Sequence, residues 1–254
     1  MVRTSNWKVV KSEEEIDLIR NSAKVVARTL RLLGSMIKAG VKTGELDEAA
    51  EDFIRSEGGI PSFKGYRGFP ASICTSVNSE VVHGIPGARV LEEGDILSVD
   101  VGVLKEGYHG DGAATFPVGV IGQEAERLLE TTQKALLAGI DQARDGNKIR
   151  DISRAVQTVV EDAGFSVVRD LVGHGIGQQM HEEPQVPNFV VPGNSPDLVS
   201  GMTLAIEPMV NLGTADIKIK ADGWTVVTKD SALSAHFEHT VLIGKDGAEI
   251  LTRP

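Results

Sequence analysis

The sequence predicts an α/β (α+β) protein built from two halves of like construction, each with two helices followed by strands. Apolar residues recur at helical spacing in two stretches before residue 60 and in two more between residues 122 and 163. Each helical pair precedes segments in which apolar and polar residues alternate, as they do in strands. The halves do not align residue by residue, so their similarity is inferred from element order. Because no Ser/Gly linker separates them, one domain over residues 1–254 is expected, with a short extension at 1–11.

The first half begins with two predicted helices. The run Ser12-Glu13-Glu14-Glu15 is a capping-box pattern, and the apolar residues from Ile16 to Leu33 keep helical spacing. A second helix is predicted from about Glu45 to Arg55, closed by Gly58-Gly59. The first half therefore starts with a long amphipathic helix and a shorter one.

Strands follow in the first half after an irregular stretch at 61–70. A strand is predicted around 73–77, and a second one at 96–103 is joined to a partner that reaches Asp111. The connection Lys105-Glu106-Gly107 is typical of a hairpin turn. This hairpin should bring Asp100 and Asp111 close together.

The second half repeats the order. Helical spacing returns after Gly122 as far as Ile140, and again from about Asp151 to Ala163. Strands resume near 167–168 and continue intermittently. Four of the ten prolines lie between residues 184 and 196, which predicts an extended loop along a substrate entrance.

Four carboxylates occupy apolar, strand-like segments, where acids are least expected without a partner or a cation: Asp100, Asp111, Glu207 and Glu238. One such acid is commonly an ordinary solvated residue, but four are harder to explain that way. Grouped without cations, they would raise one another's pKa. His174 lies between two glycines, which leave backbone room for close approach to a ligand. Oxygen ligands with one imidazole suit two divalent cations, so the pattern indicates a metal site divided between the halves.

Composition narrows the class of protein. A net charge of −10 argues against a nucleic-acid substrate, because phosphate contacts need clustered Lys and Arg. Cys74 is the only cysteine, so neither an intrachain disulfide nor a thiolate zinc cluster is available. No segment approaches the roughly 20 apolar residues that span a bilayer, and residues 1–8 lack the apolar run of a secretory signal. A cytoplasmic enzyme without a membrane partner is expected.

The five candidate ligands, with ten residues between the acids of the first pair, resemble in order those of the pita-bread metallopeptidase family. Within that family the chain is similar to the type I methionine aminopeptidases from about Lys11 onward. The motifs that carry the resemblance are Val82-His83-Gly84-Ile85-Pro86, the 100–111 hairpin, Gly173-His174-Gly175-Ile176-Gly177, His181-Glu182-Glu183-Pro184, Ile206-Glu207-Pro208 and Phe237-Glu238-His239-Thr240. The resemblance implies a pita-bread fold, with the two halves pseudo-symmetric around a central antiparallel sheet.

The resemblance also implies roles for the ligands. Asp111 and Glu238 would bridge two divalent metal ions (Co, Mn, Fe or Zn). Asp100 would hold the second ion, and His174 and Glu207 would complete the shell of the first. Glu207 would also accept a proton, so that hydroxide held between the two ions attacks the first peptide carbonyl.

The family motifs further imply residues that contact the substrate. His181 would donate to the carbonyl oxygen, and His83 would contact the scissile nitrogen. The candidates for the methionine pocket are Phe63, Tyr66, Phe69, Cys74, Met180 and Trp224. In the family an aromatic residue is usual at Met180, and Cys or a small residue is common at Phe63, so these two positions depart from the common pattern.

The activity implied is removal of the initiator methionine from nascent polypeptides when the second residue is small. N-terminal methionyl peptides would be substrates, contact with the ribosome would be transient, and the protein would be a monomer. Two alternatives stay open: another N-terminal exopeptidase of the same fold that prefers X-Pro, and a non-catalytic binding protein. Prolidases carry an additional N-terminal domain for which the chain has no room, and loss of ligands would mark the non-catalytic protein.

Overall fold

The structure, a computed structural model, describes residues 10–253 and confirms the predicted order of helices and strands. The helices are α1 (Glu13–Met36), α2 (Thr43–Ser56), α3 (Gln123–Gln142) and α4 (Ile149–Asp162), with a short 3-10 helix at Tyr66–Gly68. The strands are β1 (Ile60–Pro61), β2 (Cys74–Val77), β3 (Glu80–Val82), β4 (Ile96–Lys105), β5 (Tyr108–Pro117), β6 (Ser166–Val167), β7 (Gly173–Gly175), β8 (Glu182–Val186), β9 (Thr203–Ile206), β10 (Met209–Asn211), β11 (Ile217–Ile219), β12 (Val226–Thr228), β13 (Ser234–His236), β14 (Glu238–Ile243) and β15 (Ala248–Ile250). Of the predicted extension at 1–11, residues 1–9 lie outside the described part of the chain.

The helix starts follow from their caps. At α1 the predicted capping box is present: Ser12 Oγ accepts from the Glu15 N–H at 3.3 Å, and the Ser12 N–H donates to the Glu15 carboxylate at 2.7 Å. The helices α2 and α4 both begin two residues earlier than predicted. Each has a lysine at its N-cap position, Lys42 or Lys148, whose side chain makes no capping hydrogen bond.

A central antiparallel sheet joins the two halves, in the order β1-β4-β5-β14-β9-β7-β8, with β2 added on β4 and β15 on β14. The β5–β14 junction is short, with Glu238 opposite Ala113 and His239 opposite Gly112. Next to it, Thr240 Oγ1 accepts from the Asp111 N–H at 3.0 Å and donates to the Asp111 carbonyl at 2.7 Å. The acids of the first half, Asp100 and Asp111, therefore meet those of the second half, Glu207 and Glu238, at this junction.

The helices cover one face of the sheet and leave the acids on the other. In the first half, α1 and α2 bury Leu33, Leu46 and Ile54 against Val99 and Val101 of β4. Because side chains alternate along a strand, the carboxylate of Asp100 points to the opposite face. On the partner strand, a Cβ on Gly110 would lie 2.6 Å from the backbone of Ala23, so β5 packs directly against α1.

Two details of the connections differ from the predictions. The hairpin turn consists of Glu106 and Gly107, with φ values of 52° and 84°, because β4 extends through Lys105. The proline-rich stretch starts as strand β8, which pairs with β7, and continues as a loop from Pro187.

Candidate active site

One cavity of about 180 Å³ contains every side chain that the sequence named for the site. It lies on the face of the sheet away from the helices, and none of its lining residues comes from the loop after β8. That this loop lies along a substrate entrance stays a prediction. The cavity is lined by Phe63, Tyr66, Arg67, Phe69, Cys74, His83, Asp100, Asp111, His174, Met180, His181, Glu207, Trp224 and Glu238.

Five different strand segments supply the candidate ligands. Asp100 lies on β4, Asp111 on β5 and His174 on β7, while Glu207 follows the end of β9 and Glu238 begins β14. Asp111, His174 and Glu238 are buried, and one ligand atom of each lies within 4.8 Å of the others. Glu207 Oε1 is 3.5 Å from His174 Nε2. The five residues thus form one cluster.

Backbone contacts orient His174. Its Nδ1 is 2.9 Å from the carbonyl oxygen of Gly175, an acceptor, so Nδ1 carries the proton and Nε2 keeps its lone pair for a cation. The flanking glycines have a different purpose from the one expected. A Cβ on Gly173 would lie 2.4 Å from the carbonyl oxygen of Ala205, and one on Gly175 would lie 2.2 Å from that of Glu183. The two glycines therefore allow the neighbouring backbone to pack closely, and they do not make room for a ligand.

Burial controls the ionisation of all four acids. It raises the pKa of Asp100 from 3.8 to about 7. It also raises the pKa of Asp111 well above its usual range, and the charges of Asp100 and Glu207 add to the effect. The pKa values of Glu207 and Glu238 are raised for the same reasons, burial first and neighbouring carboxylates second. The cluster therefore resists carrying four negative charges unless cations neutralise them.

Unsatisfied oxygens support a cation at this place. Asp100 Oδ1 and Glu238 Oε1 are buried and have no hydrogen-bond partner within residues 10–253. Buried polar atoms in folded proteins are normally hydrogen bonded or bound to an ion. Carboxylate oxygens with one imidazole are a common ligand set for divalent metals, so the residues fit such an ion.

The raised pKa of Asp100 predicts how pH changes the stability of the metal-free protein. Folded Asp100 holds its proton up to about pH 7, whereas the unfolded chain loses it near 3.8. The free energy of unfolding should therefore fall as the pH rises between these values, and Asp100→Asn should remove this loss. Between about pH 5 and about pH 8 the advantage of the variant should grow to a few kcal/mol. Thermal unfolding of both proteins at each pH, in the presence of a metal chelator, measures this difference in stability.

The matched control is Asp52→Asn, which removes an exposed carboxylate on α2 and should follow the wild type at each pH. A difference between the Asp100 variant and wild type that stays constant with pH would contradict the burial argument.

Two histidines face the acid cluster from the cavity walls. Burial lowers the pKa of His181, and its Nδ1 is 3.0 Å from the hydroxyl of Tyr66. Burial also lowers the pKa of His83 to about 4. The backbone of His83 is left-handed, with φ 59°, and a Cβ on the following Gly84 would lie 2.1 Å from the carbonyl oxygen of Thr75. This strained loop holds a neutral imidazole in the wall of the cavity that contains the acids.

An apolar pocket forms the rest of the cavity. Phe63, Phe69, Cys74 and Met180 are buried together in one hydrophobic cluster, and Tyr66 and Trp224 pack on them. The rings of Phe69 and Trp224 meet edge to face with centroids 5.2 Å apart. The six residues named from the family motifs therefore enclose a single apolar space beside the acids.

Two side chains at the site were not found from the sequence. Arg67 lines the cavity with φ 48°, and its guanidinium lies 5.3 Å from the centroid of the Tyr66 ring. His236 is fully buried, and its Nε2 is 3.8 Å from Glu207 Oε2. The sequence signal for Arg67 is the pair Gly65 and Gly68 close to it on either side, which indicates an unusual backbone conformation there. The sequence signal for His236 is its position two residues before Glu238, because side chains at i and i+2 of an extended segment point to the same face.

Comparison with known proteins agrees with this geometry. The profile of Metallopeptidase family M24 matches residues 17–245. The chain belongs to this family. It is therefore a hydrolase of a metal-dependent class, and the acid cluster fits the divalent metal that the class uses. The pita-bread fold expected from the resemblance is confirmed.

Within family M24 the chain is similar in sequence to methionine aminopeptidases. It is 53% identical to the methionine aminopeptidase of Clostridium acetobutylicum, covering 96% of this chain and 98% of that one. It is 52% identical to methionine aminopeptidase 1 of Bacillus subtilis over 96% and 99% of the two chains. The structure of methionine aminopeptidase from Thermotoga maritima superposes with a TM-score of 0.95 at 43% identity over 96% and 99% of the chains. A prolidase from Pyrococcus furiosus, 21% identical, shares the fold alone.

Proposed function

We propose that this protein removes the initiator methionine from new polypeptides when the next residue is small. The observation that carries the proposal is the apolar pocket that opens directly beside the acid cluster. An unbranched thioether suits such a pocket, because it is apolar, polarisable and favourable against aromatic rings. Similarity to methionine aminopeptidases over nearly the full chain supports the same activity.

We infer that the site holds two divalent metal ions. Asp111 and Glu238 would contact both ions, Asp100 would hold the second, and His174 and Glu207 would complete the first. Two dications balance the four carboxylates. When bound, such ions polarise a carbonyl oxygen and lower the pKa of water from about 15.7 toward 7. Mn, Fe, Co and Zn are the candidates, and activity titrations with each one under anaerobic conditions distinguish them.

The surrounding side chains supply proton transfer and orientation. Glu207 accepts the proton of the attacking water, because its carboxylate belongs to the cluster. We infer that the Tyr66 hydroxyl, 3.0 Å from Nδ1 of His181, is the donor in this pair. The Nε2–H would then be free to donate to the peptide carbonyl oxygen as negative charge develops. His83 contacts the scissile nitrogen, and the free amine of the substrate lies at the Asp100 end of the cavity.

We further propose that the enzyme acts on nascent chains in the cytoplasm, as a monomer that contacts the ribosome transiently. Of the helices in residues 10–253, none has the length and apolarity to cross a membrane. Selection of a free N-terminal residue by the apolar pocket beside the acid cluster would be sufficient for this role.

Three peptides test the proposal. Purified protein loaded with metal should hydrolyse Met-Ala-Ser, and it should leave both Ala-Pro-Ala and N-acetyl-Met-Ala-Ser intact. Cleavage of Ala-Pro-Ala in preference to Met-Ala-Ser would favour the X-Pro exopeptidase. No cleavage of any peptide by protein shown to contain metal would favour the non-catalytic binding protein.

A further inference from the structure

The carboxylate of Glu207 lies between two imidazoles. Its Oε1 is 3.5 Å from Nε2 of His174, which lines the cavity. Its Oε2 is 3.8 Å from Nε2 of His236, which is only 1% exposed and is not among the lining residues. One oxygen therefore faces the ligand cluster, and the other faces a ring buried behind the cavity wall.

Within residues 10–253 the ring of His236 makes no hydrogen bond. Neither of its nitrogens has a hydrogen-bond partner among the described residues. A buried polar group in that condition requires an explanation, because nearly all such groups are satisfied in folded proteins. The gap of 3.8 Å to Glu207 Oε2 is longer than a hydrogen bond of about 3 Å. Rotation of either side chain about its own torsions can shorten this gap to a hydrogen bond.

Backbone hydrogen bonds hold His236 in place beside Glu207. The His236 N–H donates to Thr115 Oγ1 at 2.9 Å, and the same hydroxyl donates to the His236 carbonyl at 2.8 Å. His236 also pairs with Met209 between β13 and β10. Glu207 follows the end of β9, and its long side chain can rotate about its own torsions.

We propose that His236 is a positioning residue, which donates its Nε2–H to Glu207 Oε2 and thereby keeps Glu207 Oε1 directed toward the metal ligands. The proposal rests on the proposed function, because it takes Glu207 to be a ligand and proton acceptor. Hydrogen bonds to ligating carboxylates fix their orientation, and loss of such a partner typically weakens metal binding or activity by about 10–100-fold.

Calorimetric titration of metal-free protein with Mn²⁺ tests the proposal without relying on activity. His236→Leu should weaken the affinity by about 10–100-fold and should lower kcat on Met-Ala-Ser more than it raises KM. His236→Gln keeps an N–H donor on a side chain of similar reach, and it should recover most of both losses. The matched control is His239→Leu, which removes a ring bonded to Thr252 at 2.8 Å and should bind Mn²⁺ as wild type does.

Two results would overturn the proposal: wild-type affinity in His236→Leu, or an equal loss in His236→Gln and His236→Leu. The tautomer in wild-type protein gives a readout that needs no variant, should His236→Leu fail to fold. In zinc-loaded protein, nitrogen NMR should find the His236 proton on Nε2, and a proton on Nδ1 alone would contradict the assignment. Wild-type protein that binds metal but leaves Met-Ala-Ser intact would sink the proposed function, while the affinity comparison would still be readable.

Discussion

Glu238→Ala should lower hydrolysis of Met-Ala-Ser by about three orders of magnitude or more and should remove most of the metal affinity. Glu238 is 2% exposed, and one of its carboxylate oxygens has no hydrogen-bond partner within residues 10–253. A ligand atom of Glu238 lies within 4.8 Å of ligand atoms on both Asp111 and His174. If Glu238 contacts both ions, as proposed, solvent could not replace it in such a buried position. Metal content of the purified variant and its kcat/KM are the measurements, and Asp111→Ala should behave in the same way.

Glu249→Ala is the matched control for Glu238→Ala. Glu249 lies on the neighbouring strand β15, where it pairs with Arg20 at the surface. Its removal should leave metal content and kcat/KM at wild-type values. Full turnover by Glu238→Ala would refute the assignment of the acid cluster as the metal site.

His181→Ala should retain metal and lose about 10²–10³-fold in kcat, because one good donor to a developing oxyanion is worth roughly 3 to 4 kcal/mol. The ring of His181 lies 4.3 Å from that of His174, measured between centroids, so it reaches the reacting region without belonging to the ligand cluster. KM should change little, since the donor acts mainly as charge develops. Steady-state kinetics and metal analysis on the same preparation measure the two effects.

Tyr66→Phe provides a graded comparison for His181→Ala. It removes the hydroxyl that lies 3.0 Å from His181 Nδ1 and keeps the ring in the apolar cluster. A smaller fall in kcat than in His181→Ala is expected. An unchanged kcat in His181→Ala would exclude it as the donor to the carbonyl oxygen.

The sequence predicts helices well where the cap is encoded locally. Ser12 and Glu15 supply both halves of a capping box, so the start of α1 was predicted correctly. At α2 and α4 the predicted starts, Glu45 and Asp151, are the third helical residues, whose carboxylates accept the N–H of the N-cap lysines at 3.2 and 2.9 Å. The acid is visible in sequence and the lysine N-cap is not, which accounts for the two-residue shift in both helices.

For the site residues too, features encoded locally were predicted and features that depend on distant contacts were not. Acids placed in apolar strands are detectable from alternation, but the assignment of separate roles came from resemblance to a family and remains a prediction. His236 was missed because its significance depends on a contact distant in sequence. The contact between His236 and Glu207 exists only because β13 pairs with β10, a register that no local pattern encodes.

The β5–β14 junction has a kinetic consequence. Asp111 and Thr240, which clamp it, are 129 residues apart in the chain, so closing this contact fixes a long loop and carries a large entropic cost. Contacts of such separation tend to form late in folding. A cation shared by Asp111 and Glu238 would therefore add little to the speed of folding. It would instead lengthen the lifetime of the folded state, because the two halves cannot part at the junction until the ion has left.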